Sequence, residues 1–335
     1  MGLQARPKQY LWVWLLWLTG FYLVWLYLMI FNGLWPVAIQ HWPMAAAMAI
    51  GSYAAGSTPM GGGTVGFPVL VLLFELPASL GRDFSFAVQS IGMVSASIFI
   101  FARRQPIANA MLNGAMLGAV IGTPVGLLWV APYFSELYIK LVFAVIWASF
   151  GLLHLYRIDE IASHSGMTDF DETWDFKLGL GLGVFAAIVL VSVTGVGIDM
   201  VIYTALVLLC RADLKIAIPT SVVIMAFTSV VGVVVKTLTN SWQAGVYENW
   251  LAAAPVVALG APLGVFIVAR IGRKPTLLVV AILCVGQFIW TLFSERQLLG
   301  LGGTALAILA VLICLMGFEK LRQIGAKWVR YKDAS

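Results

Sequence analysis

The sequence predicts an all-α polytopic membrane protein of about eight full spans plus two re-entrant glycine-broken hairpins in an inverted repeat. Three observations lead there. Of 335 residues, 61% are hydrophobic and only 10% charged, more apolar surface than a water-soluble fold can hide. The apolar runs are about 17 to 24 residues long, the length of a spanning helix rather than of a tilted barrel strand. Two of the runs are interrupted by glycine, half a chain apart.

Arg6 and Lys8 precede Leu11 to Phe31, an apolar run with Trp12, Trp14, Trp17 and Trp25. It is too long for a signal peptide and lacks a small-residue cleavage site, so it is expected as a retained first span. Aromatic belts and lipid packing account for most of its tryptophans, although Trp14 and Trp17, nearer mid-helix, are less typical of a belt. The first break follows: Thr58-Pro59-Met60-Gly61-Gly62-Gly63-Thr64-Val65-Gly66-Phe67-Pro68. Lipid cannot hydrogen-bond bare peptide groups, so irregular backbone at membrane depth survives only inside protein or beside a wet cavity. Pro43 to Met60 forms one arm and Val65 to Phe74 another, the second only about 15 Å long at ~1.5 Å per residue. The tip glycines leave N–H groups uncovered and Thr64 is placed to cap the second arm, an arrangement suited to an anion.

Phe84 to Ala102, Pro106 to Val130 and Leu137 to Tyr156 read as spans. Arg157 to Lys177 is the one sizeable polar loop, with Asp159, Glu160, Asp169, Asp171, Glu172, Asp175 and His164. Its spacing fits no metal-ligand pattern and reads as a solvated linker. Leu178 to Thr194 begins the second hairpin, Thr194-Gly195-Val196-Gly197-Ile198-Asp199 breaks it, and Met200 to Cys210 completes it. Ile216 to Val235, Trp250 to Val268, Leu277 to Phe293 and Leu298 to Phe318 follow as spans. The organisation is an N-terminal span (1–42), repeat 1 (43–156), a cytoplasmic loop (157–177), repeat 2 (178–294), and a last span with a basic cytoplasmic tail (295–335). Within the repeats, Gly51 to Ala55 resembles Gly183 to Ala187, Ala87 to Ser90 parallels Ile218 to Ser221, and Ser95 and Ser97 answer Thr228 and Ser229.

An odd number of crossings per half inverts one half relative to the other. With both termini cytoplasmic, only Arg82, Lys140, Lys236 and Arg296 of the 20 Lys and Arg fall outside, as the positive-inside rule requires. The first hairpin then enters from outside and the second from the cytoplasm, their tips meeting near mid-membrane.

At these residues the chain resembles the TauE/SafE family of sulfite and organosulfonate permeases. The likeness rests on Gly61-Gly62-Gly63 followed by Pro68-Val69-Leu70, a second glycine-rich break, and the Thr220-Ser221 pair after it, and it covers roughly Ala45 to Phe293. The chain departs from the family pattern at Asp199, within the second break, and at Gln89-Ser90, where the second half has Thr-Ser. The resemblance implies transport of small sulfur-containing or carboxylate anions across a bacterial inner membrane.

The substrate-binding candidates are Gly61, Gly62, Gly63, Thr64, Gln89, Ser90, Thr194, Gly195, Gly197, Thr220 and Ser221. Backbone N–H groups at the tips, hydroxyls of Ser90, Thr220 and Ser221, and the Gln89 amide are the donors an oxyanion needs; each hydroxyl has the alternative of bonding a carbonyl one turn back. Asp199 is either a proton-coupling carboxyl or the cap of the arm beginning at Met200. Lys236 and Arg211 lie at predicted span ends, where reaching headgroups is expected. Cys210, Cys284 and Cys314 read as packing residues. No P-loop is present, so transport couples to H+ or Na+ or is uncoupled. No catalytic residue, cofactor, metal or nucleic-acid partner is expected; membrane lipid is. A membrane-embedded enzyme using Asp199 with His41, His154 or His164 and an anion channel are the alternatives.

Overall fold

The computed structural model describes residues 10–60, 63–168, 170–271 and 273–334. Arg6, Lys8, Gly61, Gly62 and Asp169 lie outside the described residues. Helices follow in the order α1 (Leu11–Phe31), α2 (Trp35–Gln40), α3 (Trp42–Ser57), α4 (Gly63–Pro68), α5 (Ala78–Ala102), α6 (Asn109–Val125) and α7 (Glu136–Ser163). The second half holds α8 (Glu172–Ala186), α9 (Ser192–Thr194), α10 (Ile198–Thr204), α11 (Leu214–Leu238), α12 (Val246–Ile271), α13 (Arg273–Ser294) and α14 (Arg296–Ala334). There is no strand among the described residues. The chain is an all-α polytopic membrane protein. Among the described residues nine helical stretches are long and apolar enough to cross a bilayer. That is one more than the sequence reading gives, because Glu172–Thr194, the first arm of the second broken pair, is 23 residues long by itself.

Both halves use the same backbone. After each break the second arm widens into a π turn, Val69–Leu73 in one and Ala205–Leu209 in the other. Each arm then ends on a non-glycine residue in the left-handed region, Glu75 (φ 54°) in the first half and Arg211 (φ 47°) in the second. The following long helices also end alike, on Arg104 (φ 50°) and Asn240 (φ 48°). One and the same offset along the chain carries Glu75 onto Arg211 and Arg104 onto Asn240. Non-glycine residues seldom sit in that region, so the recurrence marks one shared chain path and fixes the register between the halves. Hydrogen bonds repeat at this offset: Leu76 N–H to Leu70 O (3.0 Å) and Ala212 N–H to Leu206 O (2.9 Å) close the two arms. The Thr58 hydroxyl donates to Ala54 O at 2.7 Å and the Thr194 hydroxyl to Leu190 O at 2.9 Å. The offset differs by about one helical turn from the residue pairings that sequence comparison suggests. In the structural register Gln89 corresponds to Met225 and Ser90 to Ala226, while Ser85 pairs with Ser221.

Packing is exchanged between the halves. α6 runs against α8, and α3 against α12. Glycines line both seams: side chains at Gly118 and Gly183 would meet backbone of the facing helix at 2.6 Å and 2.5 Å, and a side chain at Gly56 would collide with Ala261 O. Small residues let helix backbones approach where lipid offers no hydrophobic drive for association. α5 and α11 pack together at the centre, and α7 pairs with α13. Around this core α1 is mostly lipid-facing, yet it is pinned by polar tips. Trp14 Nε1–H donates to Ser95 Oγ (3.0 Å), the Tyr22 hydroxyl to Pro255 O (2.6 Å), and Trp25 Nε1–H to Leu251 O (3.0 Å). Trp14, which a belt does not explain, and Trp25, expected in one, are thus both docking residues.

At the opposite end of the chain, α14 lies across the base of the second broken pair. Arg322 bonds Glu319 and Glu160, and Arg211 stands 3.7 Å from Glu160. Arg211, expected to reach headgroups, is held in this ion network instead.

Candidate functional site

The two breaks lie against α7 and α5. On α7, Phe143, Trp147, Phe150 and His154 recur at three- and four-residue spacing and so share a face. Phe67 of α4 stacks on Phe143 (centroids 4.2 Å apart), and Phe143 stacks on Trp147 (4.1 Å). A side chain built at Gly197 would meet Trp147 at 3.6 Å. One turn further, His154 Nε2 is 3.0 Å from the Tyr203 hydroxyl of α10. Because His154 Nδ1 lies 2.9 Å from Phe150 O, a pure acceptor, Nδ1 carries the hydrogen and Nε2 receives the tyrosine proton. Tyr203 is the counterpart of Phe67 in the structural register, so the equivalent ring of each second arm is held by α7. His154, one of the histidines of the enzyme alternative, is fully buried.

The second break is described in full. Gly195 (φ 79°) and Gly197 (φ 113°) are both left-handed, which suits glycine. A side chain at Gly195 would collide with the Arg82 carbonyl of α5. Asp199 is completely buried in the first turn of α10. Its Oδ1 accepts from Gly197 N–H (3.2 Å) and Met200 N–H (3.0 Å), while Oδ2 has no hydrogen-bond partner among the described residues. The carboxyl therefore takes the place at the helix start that an anion would otherwise occupy.

The remaining candidates divide clearly. The Gln89 amide donates to Ser85 O (3.0 Å) and Gly195 O (3.3 Å), tying α5 to the second break, and its Oε1 is unpartnered among the described residues. Ser90, Thr220 and Ser221 donate to carbonyls of their own helices, Ala87 O, Ile216 O and Ile218 O. Thr220 also accepts from Ala108 N–H at 3.0 Å. Thr194 bonds Leu190 O and lies 3.0 Å from Val196 O. These donors are already committed in this conformation. In the first break Gly63 and Thr64 open α4, and Gly63 is the structural counterpart of Asp199.

Sequence reasoning missed a buried ion cluster beside the second break. Asp83 is fully buried; its Oδ1 accepts from Arg82 Nε (2.8 Å) and its Oδ2 from Lys236 Nζ (2.9 Å) and Gln243 N–H (3.1 Å). Lys236, expected to reach headgroups, is only 5% exposed. The only signal in sequence is two adjacent charges, Arg82-Asp83, at a span end; the partner lysine lies in the other half of the chain.

Space near the breaks is scarce. A cavity bounded by Met48, Ser52, Ala55, Gln89, Gly92 and Val257 measures about 10 Å³, room for about one water. A separate cavity of about 350 Å³ is lined in part by Gln40, His41, Leu80, Gly245 and Asn249. A groove of about 470 Å³ between α4 and α13, bordered by Pro68, Leu72, Ile282 and Trp290, is almost wholly hydrocarbon and offers an anion little to bind.

Paired, broken helices around a tight interior define an all-α polytopic membrane protein. The sequence model of the family described as sulfite exporter TauE/SafE matches residues 44–291; the chain belongs to that family. The match takes in both breaks, α5, α7 and α11, and leaves α1 and α14 outside. Searches of the curated proteins and of the solved structures find no match.

Proposed function

We propose that the chain is a secondary transporter of a small anion, with sulfite, an organosulfonate or a related sulfur-containing anion as substrate. Family membership supports the class: members are transporters of sulfite and related anions. The observation that carries the mechanism is the recurrence of one backbone path after the break in the two halves of the chain. Inverted repeats that meet near the bilayer midplane are how many carriers alternate access.

In this reading residues 43–156 and 178–294 are the inverted halves. The two broken pairs are re-entrant, the first from outside and the second from the cytoplasm, with both termini cytoplasmic in a bacterial inner membrane. The anion sits between the tips, served by N–H groups of Gly61, Gly62 and Gly63 and by Thr64, Gln89, Ser90, Thr194, Gly195, Gly197, Thr220 and Ser221. The committed hydroxyls and the pinched cavity correspond to an occluded state, and rocking of the halves frees donors and space together. Asp199, with one oxygen unpartnered among the described residues, carries the coupling proton; an ionised carboxylate at the tip repels the anion, so protonation and anion entry go together.

Reconstituted protein tests this. Labelled sulfite or a sulfonate should enter proteoliposomes saturably and be accelerated by unlabelled anion on the other side. Flux that never saturates and shows no counterflow would identify a channel, and no movement of any sulfur anion would remove the substrate class.

A further inference from the structure

An anion site needs N–H or O–H groups that are not already spent. Most candidate donors near the second break are spent: the hydroxyls of Ser85, Ser90, Thr220 and Ser221 and the Gln89 amide all donate to backbone carbonyls. The amides of Gly197 and Met200 donate to Asp199. Arg82 is different. Its Nε binds Asp83, and the two terminal guanidinium nitrogens have no hydrogen-bond partner among the described residues; unlike Asp199 Oδ2 they are not sealed off, so the small exposed part of this 6% exposed residue lies at that edge. The bond to Asp83 uses the Nε edge and leaves the terminal nitrogens over. Lys236 and Gln243 N–H hold Asp83 Oδ2, Arg82 Nε holds Oδ1, and a cation near the start of α5 opposes the helix dipole. Two cations against one carboxylate leave the cluster one positive charge in excess.

The charge is also one-sided. In the register that carries Glu75 onto Arg211, the counterparts of Arg82, Asp83 and Lys236 are Ile218, Pro219 and Ile100. The counterparts at the opposite end of the α5/α11 pair carry no charge. Position matters too: the Arg82 carbonyl abuts Gly195, and Leu80 and Gly245, flanking the cluster in sequence, line the cavity of about 350 Å³.

We propose that Arg82 is an anion-binding residue, its free guanidinium edge receiving two oxygens of a sulfite, sulfonate or carboxylate. This rests on the transporter reading above and names the group that recognises its substrate. A guanidinium fork matches two oxygens of one oxyanion, which a lysine ammonium cannot do. Lys236 holds Asp83 and so keeps Arg82 from being neutralised.

The test uses the whole chain in detergent and in proteoliposomes, with sulfite, ethanesulfonate, acetate and chloride as probes. Arg82→Lys keeps a cation to pair with Asp83 and so preserves the fold; Arg82→Gln removes it. Both should melt cooperatively. The thermal stabilisation that an oxyanion gives the wild type should vanish in both, and KM should rise tenfold or more in Arg82→Lys with kcat less affected. An unchanged shift and KM in Arg82→Lys overturn the site and leave the substrate class standing. An Arg82-dependent shift with acetate alone removes the sulfur substrate and supports the site. No shift with any oxyanion in the wild type overturns it.

Discussion

The two breaks share a backbone and differ in chemistry. At the first, glycine occupies the start of the second arm; at the second, the same position is Asp199, whose carboxyl binds the amides of Gly197 and Met200. One arm opens on an uncharged residue, and the other has its anion seat filled by a side chain from within. In the transporter reading, the duplicated backbone has been kept while one tip alone carries an ionisable group: the anion lies between the tips, and proton handling falls to the second. The same division marks the ends of α5 and α11, where Arg82, Asp83 and Lys236 at one end answer Ile218, Pro219 and Ile100 at the other.

The contrast is most severe at the turn itself. Gly195 has a positive φ and no room for a side chain against the Arg82 carbonyl, whereas its counterpart in the first break is Pro59. Gly195→Leu should therefore destabilise by more than about 3 kcal/mol through strain and backbone collision. Pro59→Gly should lose about 1 kcal/mol or less, through unfolded-state entropy alone. Melting in detergent measures both. Equal losses at the two sites would mean that the turns are not the distinct structures described.

Asp199→Asn tests the division of labour with a smaller structural effect. The amide oxygen can still accept from Gly197 and Met200, so melting should move only slightly. Uptake driven by a pH gradient should be lost while anion counterflow persists, because exchange needs no net proton movement. Retention of gradient-driven uptake would leave Asp199 with capping alone.

Much of this was legible in sequence. Apolar runs of helix length marked the spans, and Gly195, Gly197 and the Gly61-Gly62-Gly63 run marked the breaks, because helix breakers inside apolar sequence have few other uses in lipid. The exact repeat register was not, since pairing apolar helices one turn out still matches the same faces. Residue-by-residue equivalence needed the left-handed residues Glu75, Arg211, Arg104 and Asn240. Committed hydroxyls at Ser90, Thr220 and Ser221 were anticipated only as an alternative, because sequence does not say where a side chain turns. The ion cluster was hidden by distance along the chain, and by the general habit of Lys at helix ends to reach outward.

A milder consequence concerns the arms behind the tips. Phe67 and Tyr203 occupy equivalent places against α7, but only Tyr203 carries a hydroxyl, which donates to buried His154. Tyr203→Phe makes the second arm resemble the first and leaves His154 Nε2 without that donor. The expected loss is about 1 kcal/mol, within the range for an unsatisfied buried acceptor, with anion KM unchanged. The ring itself remains to pack beside Phe150, whose centroid lies 5.6 Å away. A loss confined to stability would assign the His154–Tyr203 bond to anchoring the arm. Transport failing without loss of stability would instead place that pair in the moving part of the cycle, and the division between the two arms would then extend from their tips to their bases.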